Sequence, residues 1–167
     1  KNKNKNKNKQ KINTLYLIIV LIIVILLLIL LKKNTITEDF IVLEKNHKAK
    51  VESKKLKIPK KIWQTHETND LPQSTYENIK KLIEKNPDFE YNFFTNEDRR
   101  DYIKNNFDDR VLEAYNKINP GAGKADIWRL AVILKEGGIY IDVDKILKEN
   151  ANGFSEILDK DDEFVHG

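Results

Sequence analysis

The stretch Gly137–Lys145, GGIYIDVDK, decides how this 167-residue chain is read. Two glycines lead into a short apolar run with strand composition, and the run ends on Asp142 and Asp144, one residue apart. Along a strand, side chains at i and i+2 point the same way, so Tyr140, Asp142 and Asp144 share a face in this reading. Two carboxylates held that close repel and raise a pKa unless a cation sits near them. A bare D-x-D also describes the solvated end of a strand. The residues around it decide.

Upstream, Lys124–Gly138, KADIWRLAVILKEGG, predicts an amphipathic helix with Ile127, Leu130, Ala131 and Leu134 on one face, stopped by Gly137 in the left-handed region. Asn119–Gly123, NPGAG, breaks the chain before it, and a further helix is expected over Asp109–Ile118. Thr95-Asn96-Glu97-Asp98 opens another. Tyr91–Thr95 closes the strand FEYNFFT, and Ile62–His66 belongs to a strand that starts after Pro59. Between those strands, LPQSTYENIKKLIEKNP carries a capping box at Ser74 and Glu77, apolar Tyr76, Ile79, Leu82 and Ile83 at helical spacing, and a stop at Pro87. Strands alternating with helices predict an α/β layer around a mainly parallel sheet. Ligands of such sheets sit outside the carboxyl ends of the strands, where the acidic pair lies.

The first third of the chain is built differently. Residues 1–14 form a Lys/Asn-rich tail with almost nothing to bury, expected to be disordered and cytosolic. Leu15–Leu31 holds no charge, Pro or Gly; at 1.5 Å per residue it reaches about the lower limit for crossing a bilayer as a helix. No small-residue cleavage site follows, so residues 15–31 are read as a signal-anchor and not as a cleaved leader. Six lysines precede the span and two follow it, which sends the C-terminal part into a lumen or outside the cell, a single-pass type II layout. Residues 32–57 are charged and read as a stem; residues 58–167 are the folded domain.

Charge and composition narrow the partners. Residues 1–33 hold eight lysines and no acid, so with a net +4 overall the remainder carries −4. That sign offers no footprint for nucleic acid, while the tail suits anionic headgroups of a lipid bilayer. There is no cysteine and no N-x-S/T sequon, so a lumenal domain is held by its core alone. The chain has no methionine either, and residue 1 is not expected to be the natural start.

Three motifs fail. Gly121-Ala122-Gly123-Lys124 has Ala125 where a phosphate loop needs Ser or Thr, and Ile118 where it needs Gly. As a dinucleotide fingerprint it lacks the third glycine and a preceding strand. Asp142-x-Asp144 resembles the nucleophile strand of haloacid-dehalogenase-like phosphatases, but those place that strand first in the domain. A hard-metal site remains: Mg²⁺ or Mn²⁺ prefers carboxylate oxygens and is commonly completed by substrate phosphates, as a nucleotide-sugar would provide.

Together, Lys124-Ala-Asp126-Ile-Trp-Arg129, Leu134 and Gly137-Gly-Ile-Tyr140-Ile-Asp142-Val-Asp144 resemble the signature of glycosyltransferase family 32, and IPKKIWQTH and YNFFTNED resemble its first two strands. The family includes fungal Golgi mannosyltransferases and mannosyltransferases of inositol phosphoceramide; a type II anchor is its habit. The resemblance implies a GT-A fold, a Rossmann-like α/β sheet binding a GDP- or UDP-sugar with Mn²⁺ or Mg²⁺ at Asp142 and Asp144. It implies retaining transfer of a sugar, mannose foremost, to a glycan or glycolipid acceptor in the Golgi or ER lumen. Asp126 and Arg129 fall where related enzymes contact the donor's hydroxyls and phosphate; i,i+3 spacing also permits a plain salt bridge within the helix. Gln64, Thr65 and His66 are the nucleotide candidates, with His66 where family members commonly carry Trp; Tyr140 lines the pocket or the core. Trp128 is expected in the core. The stretch from Ile58 is short for a complete domain of this kind, so later strands and ligands are expected beyond Gly167. The competing reading is an inactive, membrane-tethered interaction protein on a transferase fold, against which the retained acids speak.

Overall fold

The computed structural model describes residues 15–29, 39–119 and 121–163, in two compact units, Lys1–Glu38 and Asp39–Gly167. In the first unit residues 15–29 form helix α1, whose side chains are exposed. Among the described residues no helix is long and apolar enough to cross a membrane. The tail at 1–14, the last two residues of the expected span and residues 32–38 of the expected stem lie outside the described residues.

The second unit is mixed α/β. Its strands are β1 (Phe40–Val42), β2 (Asn46–His47), β3 (Lys61–Thr65), β4 (Asp70–Pro72), β5 (Glu90–Phe94) and β6 (Ile139–Tyr140). Its helices are α2 (Gln73–Lys85), α3 (Asn96–Asn106), α4 (Asp109–Lys117), α5 (Gly121–Glu136) and α6 (Phe154–Ile157). The main sheet runs β2-β5-β3-β6; β3 pairs in parallel with both β5 and β6, and only the edge strand β2 is antiparallel. β1 and β4 make a separate antiparallel pair.

Alternation along the strands builds two cores. Ile62, Tyr91 and Phe93 face α2 and pack with Ile79 and Leu82. Trp63 faces the other way and packs with Ile103 of α3, Tyr115 of α4, and Trp128, Ala131 and Val132 of α5. Helices therefore cover both faces of a central parallel strand, which explains why Ile62, Trp63, Gln64 and Thr65 are all buried.

Four details differ from the sequence expectation. The folded unit begins at Asp39 and not at Ile58, because β1 and β2 lie within the expected stem and Leu43 is buried in the first core. The Ser74–Glu77 box does not form; α2 starts at Gln73 behind Pro72, with no side-chain cap, and Gln73 Nε2 donates to Glu77 Oε1 at 2.8 Å. The ring of Pro72 fixes a φ from which the chain passes straight from β4 into the helix. α5 starts at Gly121, inside the expected break, and its buried face is Trp128, Ala131 and Val132; Leu130 and Leu134 stand 70% and 82% exposed. Finally, β6 ends at Tyr140, so both acids lie past the strand. The helix expected to open at Thr95–Asp98 does so, behind a reciprocal cap: Thr95 Oγ1 accepts from the Asp98 N–H while the Asp98 carboxylate accepts from the Thr95 N–H.

Candidate functional site

The order β5-β3-β6 means that the chain leaves β3 to one side through α2 and returns to the other through α3, α4 and α5. Such a reversal opens a crevice at the carboxyl ends of the two strands flanking it. Here those ends are Thr65-His66 and Ile141-Asp142.

Gly137 and Gly138 deliver β6 to that place. Their φ values, +66° and +92°, are left-handed, and a Cβ on Gly138 would lie 2.5 Å from the Lys61 carbonyl oxygen. Trp63 Nε1 donates to the Gly137 carbonyl at 2.8 Å, and Lys61 Nζ pairs with Glu136 at 2.9 Å, so the end of α5 is held against β3. The ladder's last bond is Ile141 N–H to the Trp63 carbonyl, 3.1 Å. A turn follows, closed by the Lys145 N–H on the Asp142 carbonyl at 3.2 Å. Val143 packs against the core beside α2, while Asp142 is half-buried and Asp144 exposed.

Four expected residues meet at this turn. Tyr140 donates its hydroxyl to Asp142 Oδ1 at 2.9 Å. Arg129 Nη2 lies 3.0 Å from Asp126 Oδ1, its Nη1 lies 3.9 Å from Asp142 Oδ1, and its guanidinium sits 5.7 Å from the centre of the Tyr140 ring. Arg129 thus makes the intrahelical salt bridge and reaches the acidic turn as well. Burial, then the hydrogen bond to Asp142 and that carboxylate's charge, push the Tyr140 phenol well above its ordinary range. It stays a donor at any physiological pH.

Among the described residues Asp142 therefore has one oxygen engaged and Oδ2 without a partner, and the Asp144 carboxylate makes no hydrogen bond or ion pair. Two hard oxygen ligands, free and one residue apart, fit a divalent cation that takes its other ligands from phosphate and water. Among the described residues no group of three or more acidic, His or Cys side chains could hold a metal alone.

The nucleotide candidates separate. Gln64 is 2% exposed; it accepts from the Tyr91 hydroxyl at 3.0 Å and donates to the Asp142 carbonyl at 3.3 Å. Thr65 is buried too, donating to the Phe94 carbonyl and accepting from Arg99 Nη1, each at 2.6 Å. His66 is half-buried, and its Nδ1–H donates to the Thr68 carbonyl at 3.2 Å, leaving Nε2 as an acceptor in the neutral ring.

Sequence reasoning missed Arg99. It is 1% exposed and ties the carboxyl end of β3 together through Thr65 Oγ1, the His66 carbonyl at 3.2 Å and Glu67 Oε1 at 2.6 Å. A signal was present: Arg99 lies four residues from Ile103 on a helix whose phase the Thr95 cap sets, so the two share the inner face.

Comparison with known proteins matches the same region. Residues 72–163 match the family model described as a glycosyltransferase sugar-binding region containing a DXD motif. The chain is 36% identical over 87 residues to inositol phosphoceramide mannosyltransferase 3 of Schizosaccharomyces pombe, covering 52% of this chain and 24% of that protein. It is 30% identical over 103 residues to mannosyl phosphorylinositol ceramide synthase SUR1 of Saccharomyces cerevisiae, covering 62% and 27%. An uncharacterized glycosyltransferase of Acanthamoeba polyphaga mimivirus is 38% identical over 79 residues, covering 47% and 30%. The chain thus spans about a quarter to a third of the length of the curated relatives it matches. No solved structure matches it.

Proposed function

We propose a function from one premise: the chain belongs to the family of glycosyltransferases with a DXD-containing sugar-binding region. It moves a sugar, mannose foremost, from a GDP- or UDP-sugar to a glycan or glycolipid acceptor, on a GT-A fold and with retention of anomeric configuration. One relative is named an inositol phosphoceramide mannosyltransferase and another a mannosyl phosphorylinositol ceramide synthase, which supports mannose and a glycolipid here.

The observation that carries this reading is the Asp126–Arg129–Tyr140–Asp142 cluster beside Asp144, which has no partner among the described residues, at the carboxyl edge of β6. In transfer the bond from the sugar's C1 to the diphosphate oxygen breaks, a bond from C1 to the acceptor oxygen forms, and the acceptor hydroxyl's proton passes to the departing diphosphate or to water. Charge collects on the departing diphosphate. A Mn²⁺ or Mg²⁺ ion held by Asp144, with Asp142 on its waters or the ribose, would neutralise part of that charge. Arg129 offers a cation to the phosphates, and Asp126 takes the donor sugar's hydroxyls. Tyr140 holds Asp142 by one oxygen so that the other faces the ligand. His66 offers a flat ring to the base. Residues 15–31 anchor the protein in a Golgi or ER membrane with the sheet domain lumenal; the uncharged run and the lysine imbalance support this.

A donor-hydrolysis screen of the full-length protein tests the function, using several GDP- and UDP-sugars with Mn²⁺ or with chelator. Manganese-dependent release of sugar from one donor is expected. If no donor is hydrolysed and neither GDP nor UDP binds in Mn²⁺, the protein is the inactive tethered module instead.

A further inference from the structure

We infer that Gln64 and Tyr91 form a buried positioning pair that aims the Asp142-x-Asp144 turn, and that Gln64 does not touch the nucleotide. This rests on the transferase reading only for what the turn binds. Both side chains are closed to any ligand, at 2% and 1% exposure. The Tyr91 hydroxyl donates to Gln64 Oε1 at 3.0 Å, which leaves the amide nitrogen to face the Asp142 carbonyl at 3.3 Å. A carbonyl only accepts and a protonated phenol already occupies Oε1, so one orientation of the amide satisfies both ends. Burial raises the Tyr91 phenol far above its ordinary range, so it remains the donor throughout.

The place matters as much as the bond. Strand pairing ends at Trp63 and Tyr140, and the Ile141–Trp63 bond is the last of the ladder. Asp142 lies past that pairing, and its carbonyl is met by a side chain and a turn N–H instead of by a strand. The Gln64 side chain, from inside β3, supplies one donor to that carbonyl, and Lys145 N–H takes the second lone pair at 3.2 Å. Beneath the turn is a cavity of about 50 Å³ lined by Gln64, Ile141, Val143 and Leu147. Val143 packs the middle of the turn against the core, while the hydrogen bonds on the Asp142 carbonyl fix the peptide that carries both acids. Losing Gln64's donor frees the peptide between the two acids, and with it the direction of both carboxylates. Partners that orient metal ligands in this way affect metal affinity by about 10–100-fold.

The test uses the full chain in detergent, with Tyr91→Phe, Gln64→Leu and the parent compared by hydrogen exchange and by calorimetry with GDP and UDP, each with and without Mn²⁺. Both variants should speed amide exchange across residues 142–145. Gln64→Leu should weaken Mn²⁺-dependent binding of the diphosphate about tenfold, at the lower end for an orienting partner, with a smaller loss in Tyr91→Phe; metal-free binding should not change. Tyr91→Phe removes one oxygen and leaves the core packed, so its exchange pattern does not confound a folding defect with the effect sought. If Gln64→Leu weakens metal-free nucleotide binding while Tyr91→Phe does nothing, Gln64 is a nucleotide contact and the inference falls. Unchanged exchange in both variants overturns it as well. Faster exchange in both variants of a protein whose parent binds no nucleotide leaves the positioning pair standing and removes the transferase reading.

Discussion

Asp142 and Asp144 look equivalent in the sequence, and the structure makes them unequal. Asp142 already gives one oxygen to Tyr140, with Arg129 3.9 Å away, whereas Asp144 has no partner among the described residues. A carboxylate without a protein cation beside it loses more of its role when its charge is removed next to a divalent ion. Asp144→Asn should therefore lower turnover more than Asp142→Asn, by about tenfold or more, equivalent to about 1.4 kcal/mol at the transition state. Calorimetry with GDP and UDP in Mn²⁺ checks the cause; equal diphosphate affinity in Asp144→Asn and the parent would remove Asp144 from the metal. Gly138→Ala tests delivery of the same turn. Its left-handed φ and the 2.5 Å approach to the Lys61 carbonyl predict a cost on the order of 1–3 kcal/mol, visible as a lower urea midpoint. That Asp126, Arg129, Tyr140 and Asp142 come together was legible in the residue string, because each has a chemistry and a spacing. Gln64's position was not: whether a polar residue at a strand end meets a ligand or a neighbouring turn depends on where that turn folds back.

Elements with a strong local signal were legible in the sequence, and those with none were not. β3, β5 and the start of α3 follow from apolar runs and the Thr95-Asn96-Glu97-Asp98 opening. β1 and β2 are too short to show a period, so a charged segment that contributes Leu43 to the core read as stem. In α5 two apolar stripes overlap, and sequence favoured the one with Leu130 and Leu134. The buried stripe is the one carrying Trp128, whose ring sits 4.8 Å from Phe94 and 6.3 Å from Tyr140, because the indole removes more apolar area from water than either leucine. Trp128→Ala should cost about 3–5 kcal/mol, whereas Leu134→Ser should stay within about 0.5 kcal/mol. Denaturant midpoints of the two variants decide it; a comparable loss in Leu134→Ser would mean that its face is covered in solution.

At the scale of the whole molecule, one carboxylate draws together segments far apart in the chain. Asp88, before β5, accepts hydrogen bonds from Ser53 of the expected stem and from Ser155 of α6, and Lys60, just ahead of β3, lies 3.3 Å away. Asp88 itself is only 8% exposed. Burial alone would raise its pKa, but the bonds from Ser155, Ser53 and Lys60 outweigh that and hold it below the ordinary 3.8. A carboxyl depressed by folding stabilises the native state fully above about pH 4 and loses that contribution as pH falls through the lower native value. Asp88→Asn keeps the shape and removes the charge, so at neutral pH it should cost on the order of 1–3 kcal/mol. That deficit should shrink in acid, where the parent's own carboxyl becomes protonated. Asp98, also depressed by its contacts with Lys45 and Thr95 despite burial, titrates alike in both proteins and cancels from the comparison. Urea midpoints of parent and Asp88→Asn at about pH 7 and about pH 3 measure the gap. A gap of the same size at both would mean that Asp88 holds these segments by shape and not by charge.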